Sequence, residues 1–167
     1  QHCKAIGRTA VLFCYALGKA QRLLAGLMSF TDETVLLHGS MPPLVKVYRQ
    51  AGVQMLPTEA LGTPPRGMSF AGRLVLAPPG AGGTPWMRRF SPCETGFASG
   101  WMQHDHPRRK AYDRAFVLSD HADWPDLIHS IEQTNARRVL FMHGDSTTLL
   151  EHCRARGLEA AALALPA

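Results

Sequence analysis

The chain has 167 residues, of which 46% are apolar and 19% are charged, and its formal net charge is +5. The apolar fraction is sufficient for a buried core, which excludes a disordered chain. No apolar run is long enough to cross a bilayer. The four cysteines form no C-x-x-C pair, which argues against a disulfide framework or a zinc ribbon. We therefore expect a globular cytoplasmic protein without membrane association.

The first part of the chain alternates between strand-like and helix-like patterns. Strands are predicted at 9–15, 34–37, 53–56, 73–77 and 95–102. Helices are predicted at 18–29 and 42–50, and a short helix is predicted to end at Phe90. The segment 57–72 is rich in Pro and Gly and is expected to form a loop, whereas the polar segment 103–110 is expected to be a linker.

The same alternation continues after the linker. Asp123 is predicted to cap a helix over 124–134, and Asp145 to cap a second helix that ends near Arg156 before Gly157. Strands are predicted at 115–118, 138–142 and 158–163. Strands that alternate with helices favour parallel pairing with right-handed crossovers. The sequence therefore predicts an α/β fold with a Rossmann-like parallel sheet.

Two histidines, His121 and His143, each directly follow one of these apolar strands. The carboxyl ends of parallel strands are where open α/β sheets bind ligands. Neighbouring strands lie about 4.8 Å apart, so two such histidines could reach one phosphate group. We therefore predict that the two histidines lie at the ends of adjacent strands and share a site.

The neighbours of each histidine suggest a chemical role. His121 lies between Asp120 and Asp123, and a nearby carboxylate favours a protonated imidazole that can contact a phosphate and protonate a leaving alkoxide. His143 is a candidate zinc ligand, with Asp145 supporting it or capping the next helix. The alternatives are a turn histidine at 143 and helix-capping aspartates beside an incidental His121.

Weaker phosphate-binding candidates follow two of the other strands. One group is His38 and Ser40, and the other is the glycine-rich turn of Gly82, Gly83 and Thr84 with the basic residues Arg88 and Arg89. Free backbone N–H groups at a helix start favour phosphate binding. The turn lacks the lysine of a P-loop, so the segment taken alone favours a plain glycine-rich turn.

The basic residues and an H-x-H pattern complete the candidates. Arg88-Arg89 and the run 108–110 suit a polyanionic partner such as nucleic acid, although an ordinary solvated surface would look the same. His104-Asp105-His106 resembles a metal-binding pattern, but a basic run follows it instead of further ligands. We interpret that segment as part of the linker.

Five segments together resemble the β-CASP branch of the metallo-β-lactamase-fold nucleases. They are Phe13-Cys14-Tyr15-Ala16-Leu17-Gly18-Lys19-Ala20-Gln21-Arg22-Leu23-Leu24, His38-Gly39, Val75-Leu76-Ala77-Pro78-Pro79-Gly80, Ser119-Asp120-His121-Ala122-Asp123 and Met142-His143-Gly144-Asp145. Their order and spacing agree with the family over nearly the whole chain. With Ala98-Ser99-Gly100-Trp101, the set is most similar to the bacterial ligase-associated DNA exonucleases, which are also labelled as relatives of messenger-RNA 3′-end processing factors.

The resemblance implies an assignment for each part of the chain. Residues 1–102 would be most of the β-CASP domain, and residues 110–167 would be the C-terminal βαβαβ segment of the metallo-β-lactamase domain. His143 would bind a centre of two divalent metal ions, zinc or alternatively manganese. His121, with Asp120, would act on the scissile phosphate. The other metal ligands of the family lie upstream of this region, so we expect the isolated chain to be inert.

Three functional hypotheses remain open on the sequence alone. The first is a nuclease that acts on DNA in repair, in partnership with an ATP-dependent DNA ligase, or on RNA in 3′-end processing. The second is a non-catalytic Rossmann-like module that binds nucleotides or nucleic acid. The third is a partner-docking domain such as a ligase-binding unit. Only the nuclease hypothesis explains the two strand-end histidines.

Overall fold

The computed structural model describes residues 1–62, 67–103, 107–142 and 146–163. The chain divides into two compact units, Gln1–Asp120 and His121–Ala167. Across the described residues, no helix has both the length and the apolar character needed to cross a membrane.

The first unit is built on a six-stranded parallel sheet with the strand order β3-β2-β4-β1-β5-β6. The strands are β1 (Thr9–Phe13), β2 (Val35–Leu37), β3 (Thr58–Ala60), β4 (Leu74–Ala77), β5 (Cys93–Ala98) and β6 (Arg114–Phe116). The α-helices are α1 (His2–Ala5), α2 (Lys19–Gly26) and α3 (Pro42–Gln50). Shorter 3-10 helices lie at Leu27–Ser29, Pro79–Ala81, Pro85–Phe90, Gly100–Gln103 and Pro107–Ala111. The predicted Rossmann-like α/β fold with a parallel sheet is confirmed.

The sheet separates two apolar layers because successive side chains of a strand point to opposite faces. On β1, Val11 and Phe13 belong to one layer and Leu12 packs against the other. The layer of Leu12 also contains Leu24 from α2 and Val45 from α3. The sheet is thus covered on both faces, as an all-parallel sheet requires.

The second unit contains α4 (Trp124–Thr134), β7 (Arg138–Phe141), α5 (Thr147–Ala155) and β8 (Glu159–Ala162). The two strands pair in parallel. Trp124 of α4 packs edge-to-face on His152 of α5, with ring centroids 5.3 Å apart. The Arg154 guanidinium of α5 donates a hydrogen bond of 2.8 Å to the Ala160 carbonyl on β8. These contacts tie both helices and the sheet together within this unit.

One predicted strand is wrong. Residues 53–56 form no strand, because the Val53 N–H bonds to the Tyr48 carbonyl and the Leu56 N–H to the Leu24 carbonyl, both in helices. The strand of this region is β3, inside the segment expected to be a loop. β3 lies at the edge of the sheet with its polar side chains partly or fully exposed, so it lacks the apolar run on which the prediction relied.

The predicted adjacency of the strands that precede His121 and His143 stays a prediction, because the two strands belong to different units. The first of these strands is β6, at the edge of the six-stranded sheet, whereas β7 pairs only with β8 among the described residues. Gly96 of β5 lies under the Phe116 ring of β6. A Cβ atom at Gly96 would lie 2.9 Å from that ring and 3.1 Å from a Leu12 methyl group, so a larger residue here would require these side chains to shift.

The helix caps of the second unit differ from each other. Asp123 caps α4 as predicted, its Oδ1 accepting a bond of 3.0 Å from the Asp126 N–H. The N-cap position of α5 falls on Ser146, one residue later than expected, and its hydroxyl makes no capping hydrogen bond.

These caps provide a matched pair of variants. Asp123→Ala should destabilise α4 by about 1 kcal/mol, because it leaves a helix N–H without its acceptor. Hydrogen exchange should then show about fivefold lower protection of the α4 amides, since 1 kcal/mol corresponds to that factor. Ser146→Ala should leave α5 nearly unchanged. Equal effects at both caps would contradict this account.

Candidate functional site at the carboxyl ends of the central strands

The strand order places a topological switch point between β1 and β5. From β1 the chain runs to β2 on one side of the sheet, whereas from β5 it runs to β6 on the other side. Connections that leave adjacent strands in opposite directions open a crevice at their carboxyl ends, where ligands of α/β proteins bind. The segments 14–19, 99–103 and 117–120 follow the carboxyl ends of β1, β5 and β6 respectively.

A tight turn begins α2 at this switch point. The Lys19 N–H donates to the Leu17 carbonyl at 3.0 Å, and Gly18 has φ +78° and ψ −69°. These values describe a classic γ-turn, a strained conformation that side chains oppose. The turn directs Lys19 inward, where the residue is only 6% exposed.

The segment after β6 is bound to this turn by two basic side chains. The Lys19 ammonium forms an ion pair with the Asp120 carboxylate. One turn along α2, the Arg22 guanidinium donates to the Ser119 carbonyl. A Cβ atom at Gly18 would lie 2.3 Å from Asp120 Oδ2, so the close approach requires glycine. We call these five residues (Gly18, Lys19, Arg22, Ser119 and Asp120) the α2 clamp.

The segment after β5 lies against the same place. The Ser99 N–H donates to the Phe116 carbonyl at 3.1 Å, extending the β5–β6 pairing to the strand end. A Cβ atom at Gly100 would lie 3.5 Å from Ser119 Cβ, which is ordinary contact. The ends of β1, β5 and β6 therefore meet at the residues that precede His121.

A second polar cluster lies after β2 and β4. The Ser40 N–H donates to His38 Nδ1 at 3.2 Å, and the Ser40 hydroxyl lies 2.9 Å from the same nitrogen. The His38 ring packs edge-to-face on Trp86 with centroids 4.8 Å apart. Partial burial and then the positive charge of Arg89 lower the pKa of His38 below its usual value. His38 is therefore a neutral imidazole at physiological pH.

The basic and glycine-rich candidates lie beside that cluster. Arg89 packs its guanidinium 5.6 Å from the Trp86 ring centroid, whereas Arg88 is exposed. The Thr84 hydroxyl donates to the Ala81 carbonyl at 2.7 Å. Gly82 and Gly83 line a cavity of about 250 Å³ together with Phe13, Met87, Thr95, Ala111 and Tyr112. The structure thus brings His38, Ser40 and Arg89 together, while the hydroxyl of Thr84 is used within its own turn.

The remaining predicted site residues fall in different places. Asp120 lies in the α2 clamp, and the exposed His121 follows it directly as the first residue of the second unit. Asp123 serves as a helix cap. His143 and Asp145 lie outside the described residues, as does the H-x-H segment 104–106. Their roles stay predictions.

The described residues do not by themselves form a metal centre. Across 1–62, 67–103, 107–142 and 146–163, no three His, Cys, Asp or Glu side chains are arranged to hold a metal ion. A centre of two divalent metals needs several such ligands. The described part of the chain therefore does not fit the predicted metal ions as a complete site.

Sequence reasoning did not identify Lys19 and Arg22 as site residues. A usable signal was present, because both are cations in the first turn of a helix that has no acidic residue there. The positive end of the helix dipole disfavours cations at this position. Such a pattern indicates an anionic partner from elsewhere in the chain, which the structure identifies as Asp120 and the Ser119 carbonyl.

Comparison with known proteins gives one informative match. A protein of Opitutus terrae named "Probable DNA ligase" is 37% identical over 154 residues. The match covers 92% of this chain and 15% of that protein, so the chain spans a small part of its relative's length. No protein-family model matches the chain.

The γ-turn at Gly18 can be tested against a second glycine. Gly18→Ala should destabilise the first unit by about 1–3 kcal/mol more than Gly7→Ala. Both glycines have positive φ, but only at Gly18 would a Cβ atom meet another residue within 4 Å. The Asp120 carboxylate could turn aside only by leaving Lys19. Urea denaturation of both variants gives the comparison, and equal destabilisation would contradict the proposed close approach.

Proposed function

We propose that this chain is the C-terminal part of a metal-dependent nucleic-acid phosphodiesterase of the β-CASP metallo-β-lactamase class, and that the whole protein is a DNA exonuclease working in repair with a DNA ligase. The observation that carries the proposal is the α2 clamp. It joins the Ser-x-His motif to the Gly-Lys-Ala-Gln-Arg segment at the switch point of the sheet, over a separation of 101 positions between Lys19 and Asp120. Two motifs of the resemblance thus form one structural unit.

The relative supports the association with DNA. That protein is named a probable DNA ligase, and a segment of it matches this chain over nearly the whole of the chain's length. Because the match covers only 15% of the relative, the rest of that protein has room for other domains. A nuclease segment joined to a ligase would place end processing and end joining in one molecule. The net charge of +5 suits a nucleic-acid partner.

Within the proposal, His121 acts on the scissile phosphate. A protonated imidazole can donate to a phosphate oxygen and can pass a proton to the leaving alkoxide. His38, Ser40 and Arg89 supply a second polar cluster that could hold a neighbouring phosphate of the strand. We propose DNA rather than RNA as the substrate because the relative is named a probable DNA ligase.

The metal ions of the proposal need ligands that the described residues lack. We place most of these ligands elsewhere in the whole protein, with His143 as the candidate from this chain. When bound, zinc or manganese would supply Lewis-acid stabilisation of the phosphate oxygens. The isolated 167-residue chain should therefore cleave neither DNA nor RNA.

A non-catalytic nucleic-acid-binding module is the second candidate. The absence of a three-ligand metal group among the described residues favours it. A cleavage assay on the whole protein with zinc or manganese distinguishes the two candidates. A binding module would bind DNA without cutting it, whereas the proposed nuclease would cut it.

The proposal makes a specific prediction for His121. In the whole protein, His121→Ala should slow single-turnover DNA cleavage by about 100- to 10,000-fold, the usual contribution of general acid–base catalysis. Metal content should stay near normal, whereas His143→Ala should lower it. His129→Ala is the matched control, because His129 is an exposed histidine of α4 and should leave the rate unchanged.

The substrate provides a further check. A phosphorothiolate ester should restore much of the rate of His121→Ala, since sulfur leaves without a proton. Parallel assays with single-stranded RNA decide between DNA and RNA. Normal cleavage by both histidine variants would remove the nuclease proposal, and equal metal loss in both would make His121 a metal ligand.

A further inference from the structure

We propose that Lys19 is a positioning residue for His121. In this proposal the α2 clamp fixes the position of the backbone directly before the catalytic histidine. The inference rests on the proposed function for the role of His121. It reassigns Asp120, which sequence reasoning placed with the catalytic residues, to the same positioning task.

Lys19 is a buried cation. Its side chain is 8% exposed and that of Asp120 is 26% exposed. Removing an ammonium from water costs several kcal/mol unless a carboxylate compensates for it. The carboxylate of Asp120 is therefore required at one place, beside the first turn of α2. Because Asp120 is held in this way, the backbone of the next residue, His121, has little freedom to move.

Helix α2 contacts two consecutive residues of the segment that precedes His121. Lys19 binds the side chain of Asp120, and Arg22 binds the backbone carbonyl of Ser119. One contact would leave the segment free to rotate about it. Two contacts from residues three positions apart on the same helix restrict both its position and its direction.

The space around the ion pair is restricted on two further sides. Gly18 adopts a γ-turn that only glycine accepts readily and leaves room for the Asp120 carboxylate. Lys19 also lies 5.2 Å from the centroid of the Tyr15 ring, a cation–π contact that restricts the ammonium further. The turn, the ring and the ion pair together leave one arrangement for the residue before His121.

This arrangement separates the tasks of two neighbouring residues. Asp120 is bound to Lys19, so its effect on catalysis passes through the position of His121. A displacement of about 1 Å at a reacting group can lower a rate by about 100-fold. Loss of the clamp should therefore lower kcat with little change in KM.

The test is a double-mutant cycle in the whole protein. Lys19→Met should reduce single-turnover DNA cleavage by about 10- to 100-fold. The same substitution in the His121→Ala background should have almost no further effect, because the residue that it positions is already absent. A phosphorothiolate substrate should recover the rate of Lys19→Met as it does that of His121→Ala. Lys4→Met is the control, since Lys4 makes an exposed ion pair with Glu33.

Two further variants test the positioning role independently, in case Lys19→Met does not fold. Asp120→Asn keeps the shape of the side chain but removes its charge, and Arg22→Met removes the second contact. Both should lower kcat and respond to the phosphorothiolate substrate. Lys19→Arg, which keeps the charge, should restore part of the rate.

The outcomes distinguish this inference from the proposed function. If His121→Ala slows cleavage while the three clamp variants cleave normally, the positioning role is wrong and the nuclease proposal stands. Additive effects of Lys19→Met and His121→Ala would also overturn the positioning role. If His121→Ala itself cleaves normally, the proposed function fails first.

Discussion

The part-buried ion pair between Lys19 and Asp120 is the constraint on which this end of the molecule depends. A buried ammonium beside a helix N-terminus is unfavourable for two reasons. It loses its hydration, and the positive end of the helix dipole repels it. The Asp120 carboxylate compensates for both effects. The requirement joins the start of α2 to the segment after β6, and so it connects two distant parts of the first unit's chain at the switch point of the sheet.

The opposite end of the same strands is organised by a different carboxylate. Glu94 of β5 has a side chain that is 15% exposed and is bordered by His2, Arg8 and Arg114, at 3.3, 3.6 and 4.0 Å. These contacts connect the N-terminal segment, β5 and the edge strand β6. The central strands therefore carry one network of charges at each end, and only the network at the carboxyl ends adjoins a residue with a proposed catalytic role.

Part of the candidate site could be predicted from local sequence. His38 and Ser40 were identified because they follow an apolar strand, and the structure brings them together with Arg89. Asp123 was identified as a cap because it precedes a helical apolar stripe. Lys19 and Arg22 were missed because nothing near them in the sequence carries their partners, which lie about a hundred positions away. The order of the strands could not be predicted for a related reason, since the periodicity of apolar residues does not encode which strands pair.

The sequence by itself determined the fold class, the bounds of α3 and α4, and the position of His121 after a strand. Each of these depends on interactions between residues close in the chain, such as apolar periodicity and the hydrogen bonds of a cap. Only the tertiary structure decided the strand order, the edge position of β3 and the partner of Lys19. Those depend on contacts between distant segments, where the room left by Gly18 and Gly96 and the cost of burying a charge select one arrangement among many that local patterns allow.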